Sequence, residues 1–400
     1  MSMPFDAAKT QRNGAAKRLR VAVLNRIFSP TGGGAERYSM ALVEQLASHH
    51  ELHVFAQQIK HRWSGVTYHQ VPTLLQKPRW FNQLWFASWT WWLTRRGFDV
   101  VHSHENTWHG NVQTVHVLPV KYNLFNDRHG LAWAARCLKV LTSPRLMVYL
   151  TLERCRYASV PLRQIVVTSE SLRGVMATTY PACCGAVSVI TPGFDLPPGA
   201  VSADRAVAQR AARERFALPS TATCLLLVAN DFRKKGLTTL LEALAKLTTH
   251  HVLAVVGNPA QIPEFQDQIS RLYLTARIFF LGHLPDVGDA YRAADYLVHP
   301  TLEDTFAMAV LEAMAYGLPV LVSGPRYCGI AGLLHHQVNA WLLDDPRDAD
   351  GLVIAVQKLD TDSGLRQRLS DNASQFAADY QWENIAQQQE LVYRAASGLV

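Results

Sequence analysis

The stretch Val298-His299-Pro300-Thr301-Leu302-Glu303-Asp304-Thr305-Phe306-Ala307-Met308-Ala309-Val310-Leu311-Glu312-Ala313-Met314-Ala315-Tyr316-Gly317-Leu318-Pro319-Val320-Leu321-Val322-Ser323 decides how this 400-residue chain is read. An apolar strand ends at Pro300, and a short acidic loop (Glu303, Asp304, Thr305) leads into a helix. Phe306, Val310, Leu311 and Met314 recur along it at three- and four-residue spacing. Gly317 and Pro319 stop the helix, and Val320 to Val322 begin another strand. Such a strand–loop–helix–strand unit belongs to parallel α/β folds, which place ligands at loops and helix starts. Free amides are expected from Thr305 through Phe306 and Ala307 to Met308, where they attract anions. Asp304 and Glu312 stand eight residues apart, roughly 12 Å if helical throughout. One carboxylate would then hold sugar hydroxyls, the amides a pyrophosphate, and the other carboxylate a ribose. The same spacing equally fits an acidic first turn followed by one buried, satisfied Glu.

Outward from this stretch, the strand Cys224–Ala229 gives onto Asn230-Asp231-Phe232-Arg233-Lys234-Lys235-Gly236 and then a helix from Leu237 to Leu247. Three cations just before a helix oppose its dipole and so await an anion, unless the turn is simply solvated. Asp348-Ala349-Asp350 has the D-x-D spacing of a metal site, but after Pro346 at a helix start it reads as an N-cap. In the first half, the strand Arg20–Asn25 runs into Pro30-Thr31-Gly32-Gly33-Gly34-Ala35-Glu36-Arg37 and a helix. Glycines let backbone approach a ligand there, although Arg37 occupies the place of the third glycine of a dinucleotide fingerprint. His102 and His104 share one strand face, with His109 and His116 following. A metallohydrolase built on these four is a separate reading, with no nearby carboxylate or cysteine at ligand spacing.

Asp304-x7-Glu312, followed by Ala313-Met314-Ala315-Tyr316-Gly317-Leu318-Pro319-Val320, resembles the Glu-x7-Glu signature of group 1 (family 4) retaining glycosyltransferases. Asp-Phe-x-x-Lys-Gly at residues 231–236 and Cys328-Gly329-x-Ala331 are similar in wording to the lipopolysaccharide core glucosyltransferase branch. The resemblance implies the GT-B fold, an α/β architecture of two facing Rossmann-like domains with parallel sheets and a C-terminal helix crossing back. It implies that Glu312 binds the ribose and that Asp304 takes the transferred sugar, with Glu303 beside it as second choice. Lys235 would hold the donor diphosphate, with Arg233 or Lys234 adding charge. Gly33 and Gly34 would lie over the sugar-phosphate, and His116 would face donor sugar and acceptor, with His104 as second choice. Thr191-Pro192-Gly193-Phe194-Asp195 is similar to the family's interdomain hinge.

These expectations divide the chain into a disordered basic tail (1–17), an acceptor domain (18–192), a donor domain (193–378) and a returning helix (379–400). The expected reaction is retaining transfer of a hexose from a nucleotide-diphosphate sugar, a UDP-sugar, to a glycan or lipid-linked glycan such as lipopolysaccharide core. No metal or other cofactor is expected. A sugar-nucleotide epimerase of the same fold is the other reading within this architecture.

Composition agrees with two globular domains: hydrophobic residues make up 48% and charged residues 18% of the chain. A net charge of +7 suits an anionic ligand or an acidic membrane surface. Nucleic acid is not expected, because no dense Lys/Arg run interleaves with aromatics. Six cysteines without C-x-x-C spacing read as reduced thiols of a cytoplasmic protein. Met1 to Arg20 lacks the apolar core of a signal peptide, and no run of about eighteen apolar residues spans a bilayer. Between Arg79 and Arg96 lie five of the ten tryptophans. That segment is either an ordinary crossover helix with a heavily packed face or an in-plane contact with the cytoplasmic face of the inner membrane. Lys121, Tyr122, Arg128 and His129 are candidate contacts for an anionic acceptor.

Overall fold

A computed structural model describes residues 17–29, 34–75, 77–197 and 204–399. The expected basic tail falls almost wholly outside them, and so does Gly33; Lys17, the tail's last residue, lies 3.6 Å from Asp99.

In the first domain, seven parallel strands form one sheet: β1 (Arg20–Leu24), β2 (Glu51–Ala56), β3 (Val66–Gln70), β4 (Val100–Ser103), β5 (Val112–Val115), β6 (Gln164–Val167) and β7 (Val187–Val189). Their order is β3-β2-β1-β4-β5-β6-β7, with Leu24 paired to Phe55 on one side and Ser103 on the other. The second domain repeats the plan with β8 (Thr223–Ala229), β9 (His251–Gly257), β10 (Ile278–Gly282), β11 (Tyr296–His299), β12 (Val320–Ser323) and β13 (Trp341–Leu343). Their order is β10-β9-β8-β11-β12-β13. In both sheets the order reverses beside the first strand, and such a reversal opens a crevice at the strands' carboxyl ends. Near-continuous Val, Leu and Ala in β1, β8 and β9 are buried, as strands covered on both faces require.

Helices cover these faces. The first domain carries α1 (Gly34–Leu46), α2 (Arg79–Thr94), α3 (Val120–Phe125), α4 (Gly130–Leu141), α5 (Pro144–Arg156) and α6 (Glu170–Thr179). The second carries α7 (Arg205–Arg215), α8 (Leu237–Lys246), α9 (Gln266–Arg271), α10 (Gly288–Ala293), α11 (Met308–Ala315), α12 (Ala349–Thr361) and α13 (Ser363–Ala378). The last helix, α14 (Trp382–Ala396), buries Ile385, Ala386, Val392 and Tyr393 in the core of the first domain beside Val21, Val54 and Leu42. The chain therefore crosses between domains twice, and the crossings are bonded together. Phe194 N donates to Tyr380 O at 2.8 Å, and Trp382 N to Asp195 Oδ1 at 2.9 Å. Gly193 lies so close that an added Cβ would sit 2.9 Å from Tyr380 O.

Two helices differ from expectation. The buried stripe of α2 is Gln83, Phe86, Ala87, Thr90 and Thr94, so its packed face is not made of tryptophan. Trp85, Trp89 and Trp92 form a ladder along its flank, with centroids 5.2 and 6.1 Å apart, and Trp91 and Trp92 are exposed. In contrast, α4 buries none of its residues. Leu131 is 90% exposed, Leu141 71% and Leu138 63%, an apolar face that nothing among the described residues covers. No helix among the described residues is long and apolar enough to cross a membrane.

Candidate active site

The two crevices face each other across a cleft of ≈ 630 Å³. Gly34, Arg37, Tyr38 and His116 line it from the first domain; Lys235, Asp304, Met308 and Glu312 line it from the second.

On the second domain, the loop after β8 and the loop after β11 are built as one piece. Gly236 has φ +78°, and an added Cβ would drive into the Pro300 carbonyl, so only glycine lets the two backbones meet. Leu302 N and Thr301 Oγ1 both donate to Lys234 O, at 2.8 and 3.2 Å. This zipping sets Lys235 Nζ 2.5 Å from Asp304 Oδ2 and 3.1 Å from Glu303 O. His299 Nε2 lies 3.3 Å from the same Asp304 oxygen. Burial pulls the Asp304 carboxyl upward, but His299 and Lys235 outweigh it and hold the group well below the usual carboxylate range.

The helix begins later than its sequence suggests. Asp304 Oδ1 accepts from Phe306 N at 3.2 Å and Ala307 N at 2.9 Å, so these two expected anion-binding amides are already spent. Ala307 then takes a left-handed φ of +74°, and α11 starts at Met308. Among the described residues, the Met308 and Ala309 amides are left without an acceptor, and both residues line the cleft. Met308 Sδ lies 3.7 Å from where a Cβ on Gly34 would stand. The N-termini of α1 and α11 therefore approach each other, and both present positive dipole ends to the cleft.

One α-helical segment further on, Glu312 is 3% exposed. Tyr291 OH donates to its Oε2 at 2.7 Å. Arg37 Nη2 lies 2.9 Å from Oε1 as an ion pair, and no other described group reaches that oxygen. The Glu312 charge raises the Arg37 pKa more than burial lowers it. Sequence reading did not pair Arg37 with Glu312; in the fold it crosses between domains. The Glu-Arg pair at the end of the glycine loop was the available signal.

The expected basic turn separates in the fold. Lys235 is in the cleft, Lys234 lies at its edge 3.4 Å from Glu303, and Arg233 turns outward to Glu264 at 3.0 Å. Arg233 is therefore not placed to supply charge in the cleft, because the turn that zips onto Pro300 points successive side chains in different directions.

His116 ends β5 at the cleft, and its backbone carbonyl accepts from Thr305 Oγ1 at 2.8 Å, a second interdomain bond. Its Nε2 lies 2.9 Å from His104 Nδ1, with the rings stacked 5.2 Å apart and the Tyr38 ring edge-on. Burial, reinforced by Arg156, pushes His116 down to about 3. His102 is likewise driven to about 3 by burial, with His116 and Arg156 adding to it. Both of its nitrogens are engaged, by Tyr393 OH at 2.8 Å and Thr114 Oγ1 at 2.6 Å. His109 packs apart, against Trp108. The four histidines do not assemble into one site, and no group of three or more His, Cys, Asp or Glu among the described residues is arranged to hold a metal. Asp348 Oδ1 accepts from Gly351 N at 2.9 Å, the capping role its position suggests.

Two facing Rossmann-like domains thus surround a cleft with an anion-attracting floor and a buried carboxylate. The sequence families described as glycosyl transferases group 1 and glycosyltransferase family 4 match residues 208–376 and 32–197, one in each domain. The chain belongs to the group 1 glycosyltransferases of the GT-B fold. An uncharacterized glycosyltransferase of Methanocaldococcus jannaschii is 24% identical over 75% of this chain and 76% of its own. The lipopolysaccharide glucosyltransferase WaaG of Escherichia coli is 29% identical over 41% of this chain and 44% of its own. A lipopolysaccharide 1,2-N-acetylglucosaminetransferase of Salmonella typhimurium is 28% identical over 58% of this chain and 61% of its own. The matches to these two therefore span about half of each relative. The crystal structure of WaaG superposes with a TM-score of 0.79, at 21% identity, over 94% of this chain and 100% of that one, which establishes the shared fold.

Proposed function

We propose that the protein is a retaining hexosyltransferase that moves a sugar from a UDP-sugar to a glycan or lipid-linked glycan acceptor such as lipopolysaccharide core, without a metal. The observation that carries this reading is the buried carboxylate of Glu312, about one helical turn from the Met308 and Ala309 amides that line the cleft with Lys235. That carboxylate suits ribose hydroxyls, and the amides with Lys235 suit a diphosphate. When the donor arrives, Lys235 turns from Asp304 onto the phosphates, which frees Asp304 Oδ2 for a sugar hydroxyl. As the bond to the anomeric carbon breaks, charge gathers on the leaving phosphate, where Lys235 and the two helix N-termini stabilise it. The leaving phosphate takes the acceptor's proton on the same sugar face. Neutral His116, with His104 behind it, supplies a hydrogen bond to the sugar or acceptor rather than a charge. Closure of the domains through Thr305–His116 and Arg37–Glu312 excludes water.

The exposed face of α4 supports a membrane-bound acceptor. Leu131, Trp133, Leu138 and Leu141 are exposed beside Arg128, Arg136, Lys139 and Arg145, an apolar face with cationic flanks that suits an anionic bilayer surface. We place the peripheral membrane contact there rather than on α2, at the cytoplasmic face where lipid-linked acceptors are presented.

The test is transfer itself. Purified protein is given UDP-hexoses with a lipid-linked glycan fraction, and the anomeric configuration of the product is read by NMR in the presence of EDTA. Retained configuration, lost in Lys235→Ala, is expected. Inverted product, metal dependence or no binding of any UDP-sugar overturns the reading.

A further inference from the structure

A second cavity, ≈ 790 Å³, lies at the opposite end of the second domain's sheet. Thr223, His251, Tyr296 and Pro319, at or beside the starts of β8, β9, β11 and β12, line its floor. Helices α7, α12 and α13 wall it, and it shares no lining residue with the cleft.

Its carboxylates are engaged, and its two guanidinium groups keep open N–H donors. Asp295 takes Gln209 Nε2 on Oδ1 at 3.0 Å, and Arg213 Nη2 and Cys224 N on Oδ2 at 2.6 and 2.7 Å. Asp360 takes Tyr296 OH on Oδ1 at 3.0 Å and His251 Nε2 on Oδ2 at 2.7 Å. Two guanidinium groups of the lining are less fully engaged: Arg366 bonds to the Tyr296 hydroxyl and faces Asp360, and Arg205 faces Asp295. Arg205 Nη1 reaches only Gly317 O and Ser370 Oγ, each at 3.1 Å, and Arg366 Nη1 reaches Leu359 O at 3.3 Å. Neither forms an ion pair with a described carboxylate. Ser370 follows Arg366 by one helical turn on α13, so the two forks converge on one side of the cavity. Burial lowers the Arg205 pKa, the Asp295 charge opposes this, and the neighbouring Arg366 charge lowers it further. Two converging guanidinium groups, Arg366 part-buried and Arg205 at the exposed rim, with open N–H pairs match the oxygens of a phosphate. The volume far exceeds a phosphate ion, and Gln209, Thr361 and Gln367 surround the remainder with amide and hydroxyl groups.

We propose that this back cavity is a second ligand site, which binds the phosphate monoester of a small polyhydroxylated molecule through Arg205 and Arg366. The site also touches the cleft mechanically. Arg205 and Ser370 both donate to the Gly317 carbonyl, the latter at 2.6 Å. Gly317 ends the helix α11 whose start carries Met308 and whose middle carries Glu312. A ligand that draws Arg205 off Gly317 therefore alters the anchoring of the donor helix. Binding at the back cavity stands apart from glycosyl transfer; only its effect on donor affinity rests on that function.

The experiment titrates the whole protein with inorganic phosphate and, separately, with a hexose monophosphate, against chloride at equal ionic strength, by calorimetry and thermal shift. Saturable hexose-phosphate binding that persists in Lys235→Ala and weakens at least tenfold in Arg366→Gln is expected. Arg205→Met, checked for folding by circular dichroism, should weaken it similarly. No saturable binding of either probe, or binding lost in Lys235→Ala but kept in Arg366→Gln, overturns the proposal. Binding of inorganic phosphate without the hexose phosphate also overturns it, since the cavity would then take an anion alone.

Discussion

Arg37 Nη2 lies 2.9 Å from Glu312 Oε1, an ion pair that joins the glycine-rich loop of one domain to the central helix of the other. Arg37 is 42% exposed on its side chain, so the pair contributes no more than about 1 kcal/mol to closure.

Glu312→Gln keeps the volume and the contact with Tyr291 but removes the charge that faces Arg37 and the ribose position. Loss of a charge-assisted hydrogen bond costs about 1.5–3 kcal/mol, so UDP-sugar affinity should fall roughly ten- to hundredfold with an unchanged circular dichroism spectrum. Equal donor affinity in calorimetry would remove Glu312 from the site.

Gly236→Ala forces a Cβ into the Pro300 carbonyl at a left-handed φ. The substitution should lower stability by about 2 kcal/mol or more, seen as a reduced urea midpoint. Because the same turn positions Lys235, transfer should drop even at temperatures where the variant remains folded. An unaltered midpoint would show that the two loops do not meet as described.

Acid should weaken the fold well above the carboxylate range. His102 is fully buried and held neutral, with its folded pKa down at about 3, and His104 is lowered in the same direction by burial, His102 and His116. The unfolded chain protonates first, so stability is complete above about pH 7 and declines as pH falls from 6.5 toward 3. His102 alone accounts for roughly 1 kcal/mol between pH 6.5 and 5.5, and Asp304, whose folded pKa is depressed, adds to the loss only below about pH 4. Urea midpoints across pH 5–8 should show this slope, and His102→Gln, although less stable at pH 7.5, should show a shallower one.

The exposed face of α4 makes a separate prediction. Leu131→Asp combined with Leu138→Asp should leave the melting temperature within about 2 °C, since neither side chain is buried. Co-sedimentation with vesicles containing anionic phospholipid should fall several-fold, and high salt should weaken the wild-type interaction too. Identical sedimentation of the variant would place the membrane contact elsewhere.

Much of this was legible from the sequence, for physical reasons that differ by element. The strands of both sheets announce themselves because strands covered on two faces must be continuously apolar. The returning helix and the hinge at Thr191–Asp195 were expected from the family resemblance rather than from any local pattern of spacing. The start of α11 was misjudged because Asp304 folds back on its own following amides and Ala307 adopts a conformation that alanine rarely takes. Arg233 was grouped with Lys235 because a linear triplet does not show which way a turn points each side chain. Arg37, Tyr291 and His299 were missed as partners of the two acids, since ion pairs and hydrogen bonds across separate loops leave no periodic trace. The bare apolar face of α4 was hidden for the opposite reason: helical periodicity promises a buried stripe and cannot show that no neighbour arrives to cover it.

The seat of α14 has a consequence for biosynthesis. Tyr393 bonds to His102 across 291 residues of chain, and Ile385, Val392 and Tyr393 complete the core around β1. As the polypeptide leaves the ribosome, the domain made first must wait, with that groove open, until nearly the whole of the other domain has been synthesised. The order of synthesis and the order of completion are reversed, and a stalled or truncated chain would present an unfinished first domain to the chaperones.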